Sequence, residues 1–218
     1  MGVDFGSGNN SHTVISIIIQ WIKSGHIQLA YYEKCAPGYQ LTQAEKINKL
    51  FRASSCDVGI GDLAYGTIQV KTIQIGGKSH FNDSIFPGVG DGIFFGSRMG
   101  DNDVQPIKIE SSTDDEHGEK SSLITIAKAT SIFNFIDKLQ RTVTDPISSK
   151  KKPIFMFPCN DSYGYDAKKF VSELCSISRK PNDDHQTAIE FTHTPDTMMS
   201  LIYAITALKF NSKWDLVG

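Results

Sequence analysis

Residues 57–66, DVGIGDLAYG, alternate apolar side chains with glycine and then stop at an acid. Val58 and Ile60 among small glycines fit a buried strand that ends at Asp62, and the following TIQVKTIQIGG (67–77) reads as a helix. Working outward, GVDFG (2–6) is a short strand carrying Asp4. HTVISIIIQWI (12–22) is dense in β-branched residues. After the turn Lys23-Ser24-Gly25, HIQLAYYEKC (26–35) reads as its antiparallel partner. LTQAEKINKLFRAS (41–54) places Ala44, Ile47, Leu50 and Phe51 at helical spacing, with Thr42 and Glu45 as a capping box at its start. The order β-β-β-α-β-α sets two acids, Asp4 and Asp62, at the ends of two strands.

Beyond residue 76 the pattern changes. Residues 76–92, rich in Gly, Asn, Asp and Pro, read as a surface excursion, and IFFGSRMG (93–100) and VQPIKIES (104–111) as strands paired with each other. Asp114, Asp115 and Glu116 read as a loop. From Ser121, LITIAKATSIFNFIDKLQR reads as one amphipathic helix closed by Lys138 and Arg141 at its negative end. PIFMFP (153–158) is a short strand, DAKKFVSELCSIS (166–178) a helix with Asp166 as a cap residue, and AIEFTH (188–193) a strand. The last helix lies in FTHTPDTMMSLIYAITALKF (191–210), where Asp196 is the lone carboxylate at the mouth of an almost wholly apolar run. A helix cap is one explanation of that acid.

The composition narrows the function. With 218 residues, 39% of them hydrophobic, one domain with one sizeable core is expected. Cys35, Cys56, Cys159 and Cys175 form no C-x-x-C pair, which argues against a zinc cluster or a disulfide framework and for a reducing, cytosolic setting. No apolar run has membrane length, so a soluble protein without membrane contact is expected. The net charge of −2 gives no basic balance of the kind a dedicated nucleic-acid binder displays, so DNA contact has to rest on local features. The conspicuous basic cluster is Lys150-Lys151-Lys152, for which a solvated loop is the plain alternative.

Three acids therefore stand out: Asp4, Asp62 and Asp196. Carboxylates that converge repel one another unless a cation relieves them, and all-oxygen ligands favour Mg²⁺ or Mn²⁺. Two such ions about 3.5–4 Å apart activate water and stabilise the leaving oxygen in phosphodiester cleavage. Asp57 rivals Asp62, but it sits at the start of its strand, away from Asp4 if the strands are parallel. TIQIGGKS (72–79) ends like a phosphate-binding loop but has Thr72 where the first Gly belongs, so it fails that pattern.

The element order is that of the ribonuclease-H-like fold. GVDFGSG, DVGIGDLAYG, FMFP with FVSELCS, and EFTHTPDTMMSLIYAITAL together resemble the nuclease domain of the large terminase subunit of tailed bacteriophages. The resemblance implies an α/β domain over 1–218, with a mixed central sheet flanked by helices and an added β-hairpin and loop region. It further implies an excised C-terminal domain without its ATPase half. By resemblance, Asp4, Asp62 and Asp196 match the metal-binding acids, holding two Mg²⁺ or Mn²⁺ ions. His193 falls where a polar residue precedes the last acid, and Pro195 replaces the frequent first Asp of that motif. The implied activity is endonucleolytic cleavage of double-stranded DNA during genome packaging in the host cytoplasm. Implied partners are the ATPase domain, the small terminase subunit and the portal protein. Lys150, Lys151 and Lys152, with Lys78 and Arg98, are the candidate phosphate contacts. Two rivals are an actin- or sugar-kinase-like ATPase fragment, since DFGSGNNSHT also fits its phosphate loop, and a ribonuclease-H-like DNA-binding module without catalysis.

Overall fold

The computed structural model describes residues 1–6, 12–100, 107–113, 120–158, 166–175, 177–181, 187–191 and 196–210. In chain order the first half runs β1 (Gly2–Asp4), β2 (Thr13–Gln20), β3 (Ile27–Cys35), α1 (Gln40–Ala53), β4 (Gly59–Asp62), α2 (Thr67–Ile75), β5 (Gly76–Lys78), β6 (Ile85–Pro87) and β7 (Phe94–Gly100). The second half runs β8 (Ile107–Thr113), β9 (Lys120–Ala127), α3 (Lys128–Gln140), β10 (Thr142–Thr144), β11 (Lys151–Pro153), β12 (Phe155–Met156), α4 (Ala167–Leu174), β13 (Ile177–Pro181), β14 (Thr187–Phe191) and α5 (Asp196–Ala207), which ends in a 3₁₀ turn, Leu208–Phe210.

β2, TVISIIIQ, carries apolar side chains on both faces, as a strand covered on both sides must. Around it forms a mixed sheet of eight described strands in the order β12-β3-β2-β1-β4-β7-β9-β8. β1, β2 and β3 are antiparallel neighbours, whereas β1, β4, β7 and β9 run parallel. Alternation along the strands divides the core in two. Val3, Phe5, Ile15, Ile17 and Phe94 face α1 and α2 through Ala44, Ile47, Phe51, Val70 and Ile73. Val14, Ile18, Ile60, Ile124 and Ile126 face α3, α4 and α5 through Ile132, Phe135, Phe170, Met198 and Leu201. A mixed central sheet flanked by helices on both faces is the expected architecture.

Four expectations fail locally. Leu123 to Ala127 is the end of β9 rather than the start of a helix, and α3 begins only at Lys128. The β-branched run Ile124-Thr125-Ile126 prefers a sheet already parallel on one side, so tertiary pairing overrides the helical period. For the same reason β7 and β8 do not pair with each other, because β9 lies between them. The capping box is absent: α1 starts at Gln40, and Glu45 lies inside the helix, buried, accepting from Lys49 Nζ at 2.7 Å, Ser79 Oγ at 2.8 Å and the His80 N–H at 3.2 Å. The helix expected over 166–178 is also shorter: α4 ends at Leu174, and Ile177 and Ser178 belong to β13, which pairs with β14 as a separate hairpin, while residues 76–92 hold the short hairpin of β5 and β6.

Candidate active site

Strand pairing brings the first two acids together. Gly2 stands beside Ile60 and Val3 beside Gly61 in the parallel pair of β1 and β4, so one residue further Asp4 meets Asp62. Adjacent strands lie about 4.8 Å apart, and residues in register point to the same face. That face is the one α5 covers. Asp4 is also level with Val14, Val14 with Lys34, and Asp62 with Ser97. A row Lys34–Val14–Asp4–Asp62–Ser97 thus crosses five strands at the end where β1 and β4 stop. Asp57 precedes β4, at the opposite end of that strand from Asp62.

The third acid is delivered by close packing. A Cβ on Gly2 would stand 2.0 Å from Ser200 O and 2.3 Å from Ala204 N, so the backbone of α5 rests directly on β1 there. Ser200 Oγ is also 2.7 Å from Ser16 Oγ, on the strand beside Gly2. Asp196 lies one helical turn before Ser200 and Asp4 two residues after Gly2, so the start of α5 and the end of β1 reach the same level. Electrostatics agrees with this placement. Burial first, then the charges of Asp196 and Asp62, hold the Asp4 carboxyl well above the usual range.

Asp62 is 6% exposed, and both of its carboxylate oxygens have a hydrogen-bond donor. Its Oδ1 accepts from Tyr203 Oη at 3.4 Å and its Oδ2 from the Tyr65 N–H at 3.3 Å. Burial pushes its carboxyl upward, against the backbone N–H donors of Ala64 and Tyr65 and the Tyr203 hydroxyl. Burial, with the charges of Asp62 and Asp4, raises the Tyr203 phenol, which stays a donor. Beside Asp196, Thr197 donates to Glu173, so the Tyr32 hydroxyl at 2.8 Å donates to Thr197. Lys34 Nζ pairs with Glu173 Oε1 at 3.1 Å. Burial pushes the Tyr32 phenol up to about 12, with Glu173 and Asp196 adding to it.

Among the described residues no three His, Cys, Asp or Glu side chains already close around one point. Bare carboxylates that repel one another have no reason to do so without a cation. The donor set still fits a hard divalent ion in chemistry: three aspartates on rigid elements, all oxygen, converging at one end of the sheet. Asp4, Asp62 and Asp196 are the residues that could hold it.

The other candidates are dispersed. His193 lies outside the described residues. Lys151 and Lys152 lie on β11, which leads into β12, and Phe155 of β12 is level with Ile27 at the start of β3. That is the end of the sheet opposite to the acids. Lys152 is ion-paired with Asp145, and Lys78 with Asp83 at 2.7 Å. Arg98 follows Ser97 on β7, at the acid end but on the other face. Asp166 caps α4, accepting from the Lys169 N–H at 2.9 Å. Sequence reasoning missed Tyr203, Ser97, Thr197, Glu173 and Lys34. The polar stripe Thr197, Ser200, Tyr203, spaced by three along an apolar helix, was the available signal.

No family model matches the chain, and no curated protein matches it in sequence. Among solved structures, the large terminase nuclease from thermophilic phage G20c with bound magnesium superposes with a TM-score of 0.50 at 14% identity, over 94% of this chain and 78% of that one. A second structure of that nuclease gives 0.49 at 12% identity, over 94% and 79%. The g2p (large terminase) nuclease domain from bacteriophage SPP1 with bound Mn gives 0.44 at 11%, over 94% and 83%. At such identity the magnesium-bound G20c nuclease establishes a shared fold, the one that the sequence motifs implied.

Proposed function

We propose that this chain is a divalent-metal-dependent endonuclease that cuts double-stranded DNA during viral genome packaging, the nuclease domain of a terminase large subunit. One observation carries the reading. Asp4 and Asp62 end adjacent parallel strands on the face that α5 covers, and Asp196 opens α5 close enough to weigh on Asp4. Buried acids that destabilise one another persist at a site that binds a cation. The magnesium named for the G20c nuclease and the manganese named for the SPP1 domain are of the class these ligands suit.

Two Mg²⁺ or Mn²⁺ ions, when bound, supply activation of water and stabilisation of the leaving oxygen in phosphodiester hydrolysis. Asp4, Asp62 and Asp196 hold them. Tyr203 keeps its proton and, by donating to Asp62 Oδ1, fixes that carboxylate against the sheet. His193, three residues before Asp196 in the sequence, orients water or contacts phosphate. Lys150, Lys151, Lys152, Lys78 and Arg98 contact DNA phosphates without reading sequence. At Lys78 and Lys152 that contact requires exchanging an aspartate partner for phosphate. The whole stretch 1–218 acts as one nuclease domain. It works with an ATPase domain of the same full-length chain, a small terminase subunit and a portal protein, in the host cytoplasm. Among the described residues no helix is long and apolar enough to cross a membrane.

Plasmid cleavage tests this. The purified chain is expected to nick or linearise supercoiled DNA with Mn²⁺ or Mg²⁺ and to leave it intact with chelator. Cleavage undiminished by chelator excludes the metal-dependent mechanism.

A further inference from the structure

Three buried side-chain atoms lack a hydrogen-bond partner among the described residues: His26 Nε2, Gln69 Oε1 and Ser97 Oγ. His26 adjoins the start of β3, at the far end of the sheet, and Gln69 lies in α2, on the other face. Ser97 alone belongs to the row of acids. It is 0% exposed and in register with Asp62 on the neighbouring parallel strand, so its hydroxyl shares the face of Asp62 and Asp4. Its other neighbour in the row is Ile124, equally buried and with nothing to offer a hydroxyl. A buried hydroxyl costs stability unless it is satisfied, and an alanine here would incur no such cost.

We propose that Ser97 is a positioning residue for the acid cluster: its hydroxyl holds the Asp62 carboxylate through one bridging water, in the rotamer that faces Asp4. The two side chains stand on adjacent strands but make no direct hydrogen bond. A water between them would have the Ser97 hydroxyl and carboxylate oxygens as partners, and so the two or more polar contacts that a buried water requires. Tyr203 and the Tyr65 N–H fix the two Asp62 oxygens from the helix and from the following turn. Ser97 supplies the support from the β7 side. Groups that orient a ligating carboxylate in this way set metal affinity without touching the metal. The inference rests on the reading of Asp62 as a metal ligand.

The test is calorimetric titration of Mn²⁺ into the 218-residue chain, with thermal melts in chelator, for the parent, Ser97→Ala and Ser97→Thr. Ser97→Ala is expected to weaken Mn²⁺ binding by about 10–100-fold, the usual effect of losing an outer-shell partner. Its metal-free melting temperature should fall by no more than the small contribution of one water-mediated hydrogen bond, and Ser97→Thr should restore most of the affinity. Should the added methyl of Thr prevent folding, the Ala result decides alone. Parent-like Mn²⁺ affinity in Ser97→Ala overturns the role of Ser97 and leaves the metal reading standing. Weakened binding together with a fall in metal-free melting temperature well beyond that of one lost hydrogen bond makes Ser97 a packing residue and also overturns it. A parent chain that binds no Mn²⁺ removes both inferences.

Discussion

Asp196 opens α5, where a cap and a metal ligand would both place an acid. The two roles separate on substitution. Asn caps a helix nearly as well as Asp, so Asp196→Asn should change metal-free stability by no more than about 1 kcal/mol. Relief of its repulsion with Asp4 should make the melting temperature in chelator equal or higher. If Asp196 holds metal, the same change abolishes Mn²⁺-dependent cleavage. Clear loss of metal-free stability with cleavage retained would mark it as a cap. At this scale the acids were legible because each sits at an element end in a glycine- or threonine-rich stretch. Ser97 and Tyr203 were not, since a hydroxyl inside an apolar run does not declare its partner. Nor could sequence join Lys34 to Glu173, 139 residues apart, because only the packing of α4 beside β3 makes them neighbours.

At the scale of elements, the contact of α5 with β1 sets the site, and Gly2 permits it. Gly2→Ala drives a methyl into the backbone of Ser200 and Ala204, neither of which can swing aside. The expected cost is about 1–3 kcal/mol or more, typical of overpacking, seen as a lower urea midpoint, together with weaker Mn²⁺ binding as α5 lifts. An unchanged midpoint would contradict the close packing. On the opposite face Glu45 ties α1 to residues 79 and 80. Lys49, with Ser79 and the His80 N–H and against the cost of burial, holds its carboxyl below the usual range. A depressed folded pKa gives stability that is present above the unfolded value, about 4.3, and is lost as pH falls through the folded one. Glu45→Gln should therefore be less stable than the parent at pH 7, with the gap closing from about pH 5 downward in urea melts. A gap independent of pH would show that the charge of Glu45 plays no part. The helical period marked α1 but not its start, because Thr42 and Glu45 match a capping box by spacing while tertiary contacts claim Glu45. β9 shows the same limit, since its strand state depends on a parallel neighbour that local sequence does not contain.

Over the whole molecule, sheet order explains how residues 4, 62 and 196 come to lie at one end. Three antiparallel strands return the chain so that β4 enters parallel beside β1, and the covering helix arrives last. The first six strands and helices of this layout follow from the sequence, as does the mixed sheet. The hairpin of β13 and β14 and the insertion of β9 between β7 and β8 do not, being products of long-range pairing. The same order places Lys151 and Lys152 at the end of the sheet away from the acids, so DNA engaging both would have to run along the sheet rather than sit over one end. The central claim remains the convergence of three carboxylates on divalent cations. The most direct measurement is anomalous diffraction from crystals of this chain soaked in Mn²⁺. The account predicts manganese peaks bounded by Asp4, Asp62 and Asp196. Well-diffracting soaked crystals with no peak there, or with peaks only at other carboxylates, would contradict it.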